Sequence, residues 1–365
     1  MKVLVMGGTQ FNGYALVREL LRTGHDVTVL NRGQRPTPLP RSVRRLYADR
    51  TDHARVRELL GKEEFDCVQD LTAYQPQDVE LMVELLRGRI GHYIFASSTV
   101  IYAHSDLPPI TEDHPVDRSP RQNEYGRRKL ACEDILAREH RERGFPATTV
   151  ALSMVFGPNN VVPDREQRMF VRLLRGRKIL IPGNGTALSQ VGYVDDQVRA
   201  LRLMMTRPIT FGKRYNLTGR DCFTDEGYVD TIAGVLGVEP PKVFIPAALM
   251  DDLWDGRVEL DWGAGLGTLI DIRRSDQELA AFRTVIRQQR LASLVQKLAP
   301  HLNRWNHSTF FSTDRLRQDV GWEPEYCFRA MVEQTYEWFT AQGLDRTARF
   351  DFGFEDQLLA KLGES

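Results

Sequence analysis

The chain has 365 residues, and its 49 Lys plus Arg balance 49 Asp plus Glu, so the formal net charge is zero. This balance argues against a general nucleic-acid binder, which carries a basic excess, while 42% hydrophobic and 27% charged residues are typical of a globular protein. No apolar run approaches the roughly 18 residues that span a bilayer, and the N-terminus lacks the apolar stretch of a signal peptide, so we expect a cytoplasmic protein.

Strand-like and helix-like segments alternate along the first half of the chain. Strands are predicted at residues 2–6, 26–30, 43–47, 65–71, 92–97 and 148–154, and helices at 14–23, 77–87 and 124–142. Alternation at this spacing predicts βαβ units. The fold class is therefore α/β, a Rossmann-type doubly wound parallel sheet with helices on both faces.

The second half of the chain changes character. Short strands are predicted at 178–181 and 214–217, and helices at 164–175, 194–205, 275–302 and 330–339. A Pro-rich stretch at 239–246 is interpreted as a hinge. Residues 350–365 carry an apolar cluster that could pack on a neighbouring molecule, which is compatible with a homodimer.

The first strand runs into a glycine-rich segment, Lys2-Val-Leu-Val-Met-Gly-Gly-Thr-Gln-Phe-Asn-Gly13, that enters a helix. Glycines permit a tight turn and close approach to a pyrophosphate, and the helix N-terminus offers free N–H groups. The order favours a dinucleotide site over an ordinary strand–helix turn, although Gln10 stands where GxxGxxG has its middle glycine. The residues predicted to bind the cofactor here are Gly7, Thr9, Gln10, Phe11, Asn12 and Gly13.

The segment after the second strand bears on the choice between NADP and NAD. An NAD site usually has Asp or Glu there to bind the ribose 2′-hydroxyl, whereas this chain has Asn31 and Arg32, with Arg35 nearby. Cations suit a 2′-phosphate, so NADP is favoured over NAD, unless these arginines are only solvated surface residues. Asp49 is predicted to bind the adenine amine or to be structural. Further positions predicted to line the cofactor are Arg50, Leu71 and Thr72.

A tyrosine and a lysine with YxxxK spacing, Tyr125 and Lys129, lie on the predicted helix 124–142. Residues four apart share a helix face, and an ammonium beside a phenol should lower the pKa of the tyrosine. The strand 92–97 delivers the hydroxyls of Ser97, Ser98 and Thr99 to the carboxyl edge of the sheet, where ligands bind in open α/β folds. The pattern predicts proton transfer at Tyr125.

Taken together, these motifs resemble the extended short-chain dehydrogenase/reductase superfamily, and within it the NAD-dependent epimerase/dehydratase family. Further landmarks follow in family order: Phe156-Gly-Pro158, Gly183-Asn-Gly185, Tyr193-Val-Asp-Asp196, Tyr215-Asn-Leu217 and Gly321-Trp-Glu-Pro324. The GGTxFxG loop and Ser189-Gln-Val-Gly-Tyr193 look most like a branch that includes the chloroplast stem-loop-binding proteins, whose members are not all proven enzymes.

The resemblance implies a role for each catalytic candidate. Tyr125 is expected to be the acid/base, Lys129 to bind the nicotinamide ribose and tune Tyr125, and Ser98 to be the hydroxyl partner. Family members mostly act on nucleotide-sugars: they oxidise a hydroxyl by hydride transfer, act on the keto intermediate and return the hydride. Residues 1–158 are expected to form the dinucleotide-binding domain, joined again by about 186–238. Residues 159–185 and 239–345 would form a smaller mixed α/β substrate domain, followed by a tail at 346–365.

Departures from the family pattern narrow the expected chemistry. Thr99 and Val100 stand where sugar dehydratases and decarboxylases carry acidic residues, so those reactions lose a base, whereas a 4-epimerase or a simple ketone reductase still fits. Met154 replaces an Asn, and Ser189 aligns with an Arg that often clamps the diphosphate. The substrate-binding candidates are Thr99, Met154 and Arg168, and the alternative phosphate clamps are Arg165 and Arg304.

A second class of function stays open, a non-catalytic NAD(P)-binding scaffold that is RNA-associated or regulatory. The basic run Arg172-Leu-Leu-Arg-Gly-Arg-Lys178 is interpreted as a solvated helix end rather than an RNA patch, because no aromatic residues interleave it. No specific nucleic acid and no membrane is expected as a partner. The histidines show no metal-binding spacing and the four cysteines form no CxxC pair, so no metal is expected.

Overall fold

A seven-stranded parallel sheet forms the centre of the computed structural model, which describes residues 1–34, 37–162, 165–261 and 276–364. The strands, in chain order, are β1 (Lys2–Met6), β2 (Asp26–Asn31), β3 (Arg44–Tyr47), β4 (Cys67–Asp70), β5 (Tyr93–Ser98), β6 (Ala147–Leu152), β7 (Val155–Phe156), β8 (Ile179–Pro182), β9 (Leu188–Gln190), β10 (Gly192–Tyr193), β11 (Arg214–Leu217), β12 (Cys222–Thr224) and β13 (Lys242–Ile245).

Helices connect most of these strands. They are α1 (Phe11–Arg22), α2 (His53–Leu60), α3 (Pro76–Leu86), α4 (Glu124–Arg143), α5 (Glu166–Leu174), α6 (Val194–Met204), α7 (Asp225–Leu236), α8 (Ala247–Asp255), α9 (Asp276–Ala292), α10 (Asp314–Val320), α11 (Phe328–Ala341), α12 (Leu344–Thr347) and α13 (Gly353–Lys361). None of the helices in the described ranges is long and apolar enough to cross a membrane.

The strand order of the large sheet is β11-β6-β5-β4-β1-β2-β3, and every pairing in it is parallel. Residues such as Val3, Leu4 and Val5 are fully buried, because helices cover both faces and each strand is therefore an almost continuous apolar run. Strand order reverses beside β1, whose neighbours are β2 and β4. In open α/β sheets such a reversal opens a crevice at the carboxyl ends of the strands, and ligands bind there.

Two apolar clusters enclose the sheet, one on each face. On one face, the apolar side chains of α2, α3 and α4 pack on the sheet, among them Val56, Met82 and Leu136. On the other, α1, α6 and α10 contribute Leu16, Leu201 and others. The three layers confirm the Rossmann-type fold expected from the sequence.

The rest of the chain forms a smaller α/β assembly beside the carboxyl edge. We call it the second assembly. Its apolar cluster consists of side chains from β7, α5, α7 and α11, together with Phe11 of the glycine loop. The interpretation of residues 239–246 as a hinge is wrong in part, because β13 lies within this stretch and pairs in parallel with β8. The tail packs on its own chain rather than leaving its apolar cluster for a neighbour, since Phe354 and Leu358 of α13 are buried against α8 residues and Trp305.

Candidate active site

The glycine loop between β1 and α1 is shaped for close approach of a ligand. Gly7 has a φ of 92°, a conformation that favours glycine. A Cβ added to Gly13 would lie 2.1 Å from the carbonyl oxygen of Gly7, so a side chain there would fill the turn. Helix α1 begins without a side-chain cap and without an acidic residue in its first turn. Its N–H groups and dipole therefore stay available for an anion such as a pyrophosphate.

A cleft of about 410 Å³ opens between this loop and the carboxyl ends of β2 and β4. It is lined by residues of the predicted cofactor site together with neighbours that the sequence did not single out. Its lining comprises Gly7, Thr9, Gln10, Leu30, Asn31, Arg32, Gly33, Gln34, Ala48, Asp49, Arg50, Thr51, Thr72, Tyr74, Gln75 and Asp78. The glycine cradle, the uncapped helix and this cleft fit a dinucleotide.

Six predicted cofactor residues stand outside that lining: Gly13 in the turn itself, Tyr125 and Lys129 at the next strand edge, and Phe11, Leu71 and Asn12. Phe11 is buried in the apolar cluster of the second assembly, so only its backbone belongs to the loop. Leu71 packs on the sheet as a partly buried core residue. Asn12, in the first turn of α1, has a buried side-chain oxygen without a hydrogen-bond partner among the described residues.

The segment after β2 combines a hydrogen-bonded turn with an exposed cation. The Asn31 side-chain oxygen accepts a hydrogen bond of 2.8 Å from the Gly33 N–H, whereas its Nδ2 has no partner in the part of the chain that the structure describes. Arg32 is exposed beside it, and Arg35 lies outside the described residues. A donor and a cation therefore line the cleft at the end of β2.

Asp49 is held in a tight turn at the end of β3. Its Oδ1 accepts hydrogen bonds from the N–H and the hydroxyl of Thr51, at 2.9 and 2.7 Å. These bonds hold the pKa of the Asp49 carboxyl below its usual value, with smaller help from Arg32 and Arg50. The carboxylate thus remains an acceptor at the cleft wall.

Arg50 also lines the cleft, but carboxylates already bind its charge. Its Nη1 lies 2.6 Å from Asp70 Oδ1, and its Nε lies 3.4 Å from Asp78 Oδ2. Asp70 further accepts hydrogen bonds from the Tyr93 hydroxyl, at 2.5 Å, and from two backbone N–H groups. Arg50 also donates to the Thr72 hydroxyl at 3.0 Å. Both predicted cofactor residues, Arg50 and Thr72, therefore belong to a buried network beneath the cleft.

Ser98, Tyr125 and Lys129 meet at the same edge of the sheet. Ser98 ends β5, and Tyr125 lies in the first turn of α4, whose N-cap Asn123 accepts a hydrogen bond from the Gly126 N–H. The Ser98 hydroxyl is near enough to Tyr125 to lower the pKa of its phenol. Its side chain is 39% exposed through the open side of the site. The pattern of hydroxyl, phenol and ammonium is brought together as the sequence predicted.

The pKa of Tyr125 differs from the sequence expectation. Burial raises it to about 12, the neighbouring Tyr74 adds to that shift, and the Ser98 hydrogen bond and the charge of Arg165 lower it. The Lys129 ammonium lies 5.7 Å from the centre of the Tyr125 ring. Ser98 and Arg165, rather than Lys129, are the groups that lower the pKa of the phenol here. The Lys129 ammonium donates to the carbonyl oxygens of Ala73 and Ala96, at 2.8 and 2.7 Å.

Lys129 is itself strongly affected by its surroundings. Burial lowers its pKa to about 8, against the opposing charge of Asp70. Its ammonium lies 4.7 Å from the centre of the Tyr74 ring and 4.8 Å from that of Phe95, which are favourable cation–π distances. Tyr74, which the sequence left between a packing and a cleft role, is 49% exposed in the cleft and contacts Tyr125 ring to ring at 5.8 Å.

Two of the three substrate-binding candidates stay near this edge, and one does not. Thr99 is buried, and its hydroxyl donates to the Leu152 carbonyl at 3.4 Å. Met154 is partly buried against the second assembly. Arg168 as a substrate residue is wrong: its side chain is 2% exposed, and its Nη2 lies 2.8 Å from Glu355 Oε1 of α13. Its counter-charge comes from a helix almost 190 residues later in the chain, and no local sequence pattern indicates this pairing.

The two alternative phosphate clamps, Arg304 and Arg165, have different partners in the described residues. Arg304 is held by Asp251 and Asp255, at 2.9 and 3.2 Å. Arg165 donates one hydrogen bond of 3.1 Å to the Val155 carbonyl and has no carboxylate within ion-pair distance among the described residues. The charge of Arg165 also acts on Tyr125, where it lowers the pKa of the phenol.

Carboxylates of the tail pair with three of the four cations in the basic run 172–178, while Arg175 is exposed. Arg172 lies 2.5 Å from Glu355, Arg177 pairs with Asp356, and Lys178 lies 3.1 Å from Glu364. The run is therefore not an open patch for a polyanion. Its interpretation as a solvated helix end is wrong at Arg172, which is buried.

The histidines, which show no metal-binding spacing in sequence, come closer together in the fold. Potential ligand atoms of His104, Asp106 and His307 lie within 4.8 Å of one another. The two rings stack at 4.1 Å, and the Nδ1 atoms hydrogen-bond Asn303 and the Arg304 N–H. Because His307 Nδ1 accepts a bond from a backbone N–H, its other nitrogen carries a proton and is not a ready ligand.

Residues 3–218 match the model of the NAD dependent epimerase/dehydratase family. The chain belongs to this family. The match includes the glycine loop, Ser98, Tyr125 and Lys129, so the family expected from the sequence is confirmed.

Two family relatives illustrate its range. The chain is 31% identical over 255 residues to the chloroplast stem-loop binding protein of 41 kDa b of Arabidopsis thaliana, a match that covers 66% of this chain and 65% of that protein. It is 30% identical over 253 residues to the 2′-dehydrokanamycin reductase of Streptomyces kanamyceticus, with 68% and 70% covered. The first match thus spans slightly less than two thirds of the relative's length.

Among solved structures, the family fold appears in the dTDP-glucose 4,6-dehydratase of Bacillus anthracis str. Ames, determined in complex with NAD. The TM-score is 0.68 at 15% identity, and the superposition covers 94% of this chain and 98% of that chain. At this identity the likeness shows the fold alone, and NAD is the cofactor of that neighbour.

Proposed function

We propose that this chain is an NAD(P)-dependent epimerase or oxidoreductase that acts on a nucleotide-sugar, or on a related polyol or ketone, by hydride transfer with Tyr125 as acid/base. The observation that carries the proposal is the meeting of Ser98, Tyr125 and Lys129 at the carboxyl edge of the sheet, next to a cleft with a glycine cradle. A nicotinamide bound in that cleft supplies the hydride acceptor and donor.

Each catalytic side chain has a physical role in this proposal. The Tyr125 hydroxyl transfers the proton of the reacting substrate oxygen, and the Ser98 hydroxyl hydrogen-bonds the same oxygen and aligns it. The Lys129 ammonium, held by two carbonyls, keeps a third donor for a ribose hydroxyl. Thr99 has no ionisable group, so this edge supplies no second base for dehydration.

A simple ketone reductase is the second candidate, favoured by a specific observation. Burial raises the pKa of Tyr125 to about 12, which disfavours the phenolate that would remove a proton from a hydroxyl and so favours proton donation to a ketone oxygen. The similarity to a 2′-dehydrokanamycin reductase supports the same direction. A non-catalytic, RNA-associated scaffold has less support, because the tail pairs with three of the four cations in the basic run.

Cofactor titration combined with turnover tests the proposal. Calorimetry with NAD and NADP should show binding of at least one of them. If neither binds, the enzyme proposal is wrong. Turnover is then followed with a panel of nucleotide-sugars and carbonyl compounds. An epimerase converts its substrate with no net change in reduced nicotinamide, whereas a reductase consumes it.

The cofactor preference has its own test at Arg32. Replacing Arg32 with Ala should weaken NADP binding by about 1 kcal/mol or more, because a charge-assisted contact to the 2′-phosphate is lost. NAD binding should change little. Equal weakening of both would show that Arg32 does not contact the 2′-phosphate.

A further inference from the structure

A buried glutamine directly before α4 joins the two elements that carry the candidate acid/base and its hydroxyl partner. Gln122 is 1% exposed. Its Nε2 donates to the carbonyl of Val100, at 2.9 Å, in the turn that follows Ser98. Its Oε1 accepts a hydrogen bond of 3.0 Å from the N–H of Asn123, the N-cap residue of α4. One amide therefore connects the end of β5 with the start of the helix that carries Tyr125.

This amide also packs on the backbone of the first turn of α4. A Cβ added to Gly126, the residue after Tyr125, would lie 2.3 Å from Gln122 Oε1. A side chain at position 126 would therefore push the glutamine away, because the space is already filled. The glycine lets the amide rest directly beside the residue that is proposed to transfer the proton.

A histidine from the second assembly completes the hydrogen bonds of the amide. His301 Nε2 lies 2.9 Å from Gln122 Oε1, and its Nδ1 lies 3.2 Å from Asn123 Nδ2. Asn123 Oδ1 accepts a hydrogen bond of 2.8 Å from the Gly126 N–H, so its Nδ2 faces the histidine as a donor. His301 must then accept at Nδ1 and donate from Nε2, which is one neutral tautomer. Burial lowers the pKa of His301 to about 4, which favours the neutral ring further.

Neighbouring contacts hold the histidine's segment against the same edge. Arg121 Nη2 donates to the Leu302 carbonyl at 3.3 Å. Leu298 packs against the apolar cluster that includes Ile101 of the turn after Ser98. The segment 298–302 therefore contacts both the turn that follows β5 and the residues that lead into α4.

We propose that Gln122 and His301 are positioning residues, which fix the Tyr125 phenol relative to Ser98 through the start of α4. The proposal rests on the function proposed above. Neither side chain belongs to the lining of the cofactor cleft, so both act on the chemical step through alignment and not on cofactor binding. The second assembly thereby contributes, through one histidine, to the alignment of two hydroxyls on the sheet edge.

Kinetics of His301 and Gln122 variants test the alignment. His301→Phe keeps a planar ring and removes both hydrogen bonds. With the substrate found in the panel, kcat should fall by roughly 10- to 100-fold, the range of a misplacement of about 1 Å, while KM and the NAD affinity from calorimetry stay close to the wild-type values. His301→Gln, whose amide can donate to Gln122, should recover part of the loss.

A double variant tests whether the two residues act as one unit. Gln122→Met should lower kcat at least as far as His301→Phe. Adding His301→Phe to Gln122→Met should cost little more, because both changes remove the same set of hydrogen bonds. Additive losses would contradict a shared route to Tyr125.

A matched control lies at the other end of the same helix, where His140 Nδ1 is 3.0 Å from the Phe145 carbonyl. His140→Phe should lower the thermal stability about as His301→Phe does, but it should keep the wild-type kcat. If His301→Phe does not fold, His301→Asn takes its place, since it loses the bond to Gln122 and should show the same split between kcat and KM.

The outcomes separate this proposal from the more general one. A wild-type kcat in the His301 variants, an equal fall of kcat in His140→Phe, or a loss confined to KM or NAD affinity overturns the positioning role while NAD binding and turnover by the wild type still stand. Absence of NAD binding or of turnover in the wild type overturns the proposed function, and the positioning role falls with it.

Discussion

Tyr125 holds its proton at neutral pH, as an ordinary phenol does, and burial raises its pKa further, to about 12. Tyr125→Phe keeps the ring that contacts Tyr74 and removes the proton. We expect kcat to fall by about 10²- to 10⁴-fold, as is typical of a lost general acid or base, with NAD affinity nearly unchanged. Ser98→Ala should be milder, since it removes one hydrogen bond.

The measurement is steady-state turnover with the substrate found in the panel, alongside calorimetry with NAD. Tyr336→Phe, at a partly buried tyrosine of α11 away from the cleft, is the matched control and should keep the wild-type rate. A near wild-type rate for Tyr125→Phe would show that the catalytic assignment is wrong.

Lys129 predicts a pH dependence of stability whose sign follows from its lowered pKa. Below about pH 8 the ammonium is protonated in both the folded and the unfolded chain. Between about 8 and the ordinary value of 10.5, the folded protein releases this proton while the unfolded chain keeps it. The free energy of unfolding of the wild type should therefore rise with pH relative to Lys129→Met, by up to about 3 kcal/mol.

Urea denaturation of both proteins across this pH range measures the difference, and the subtraction removes other titrating groups. A difference that stays flat or falls with pH would contradict a buried ammonium with a lowered pKa. Lys129→Met should also weaken NAD binding, because it loses the donor proposed for the ribose.

At the scale of elements, α13 is fixed to the second assembly by a buried charge cluster. Glu355 is the shared carboxylate of Arg168 and Arg172. Glu355→Gln should lower the free energy of unfolding by about 3–5 kcal/mol, because two buried guanidinium groups lose their counter-charge. Asp356→Asn removes an exposed ion pair to Arg177 on the same helix and should cost less than about 1 kcal/mol. Equal losses in urea denaturation would contradict the buried cluster.

The elements of the sheet could be predicted from sequence, and those of the second assembly only in part. Strands such as β1 and β5 are short apolar runs with clear ends, because burial on both faces leaves a strong local pattern. Helix α7 was missed, since its two glycines and mixed polarity give no helical stripe. The tail was recognised as apolar but its partner was not, because Glu355 finds Arg168 through tertiary contact alone.

For single residues of the candidate site, the sequence likewise predicted some properties and not others. Gly7, Gly13, Ser98, Tyr125 and Lys129 could be placed from the sequence, because a turn, a strand end and a helix face fix each of them locally. The charge states could not. Arg50 and Arg168 are predicted from the sequence to be ligand residues, yet carboxylates from other elements bind both.

At the scale of the whole molecule, the glycine loop connects the cofactor cleft and the central sheet to the second assembly. Phe11, at the start of α1, packs in the cluster that also holds Phe156, Phe328 and Phe352. A cofactor that fixes this loop should therefore stabilise both parts of the protein together. At a concentration of NAD a hundredfold above its dissociation constant, mass action adds about 2.7 kcal/mol to the free energy of unfolding.

Gly13→Ala tests this link between the loop and the whole fold. The added Cβ would lie 2.1 Å from the Gly7 carbonyl oxygen, so the turn must shift away from its pyrophosphate-binding shape. We expect the variant to fold, with the same thermal transition by circular dichroism and tryptophan fluorescence, but to gain little stability from NAD. Gly234→Ala, within α7, meets only the end of a flexible arginine side chain at 3.3 Å and should keep the full NAD response. A wild-type response in Gly13→Ala would mean that the pyrophosphate does not lie over this loop.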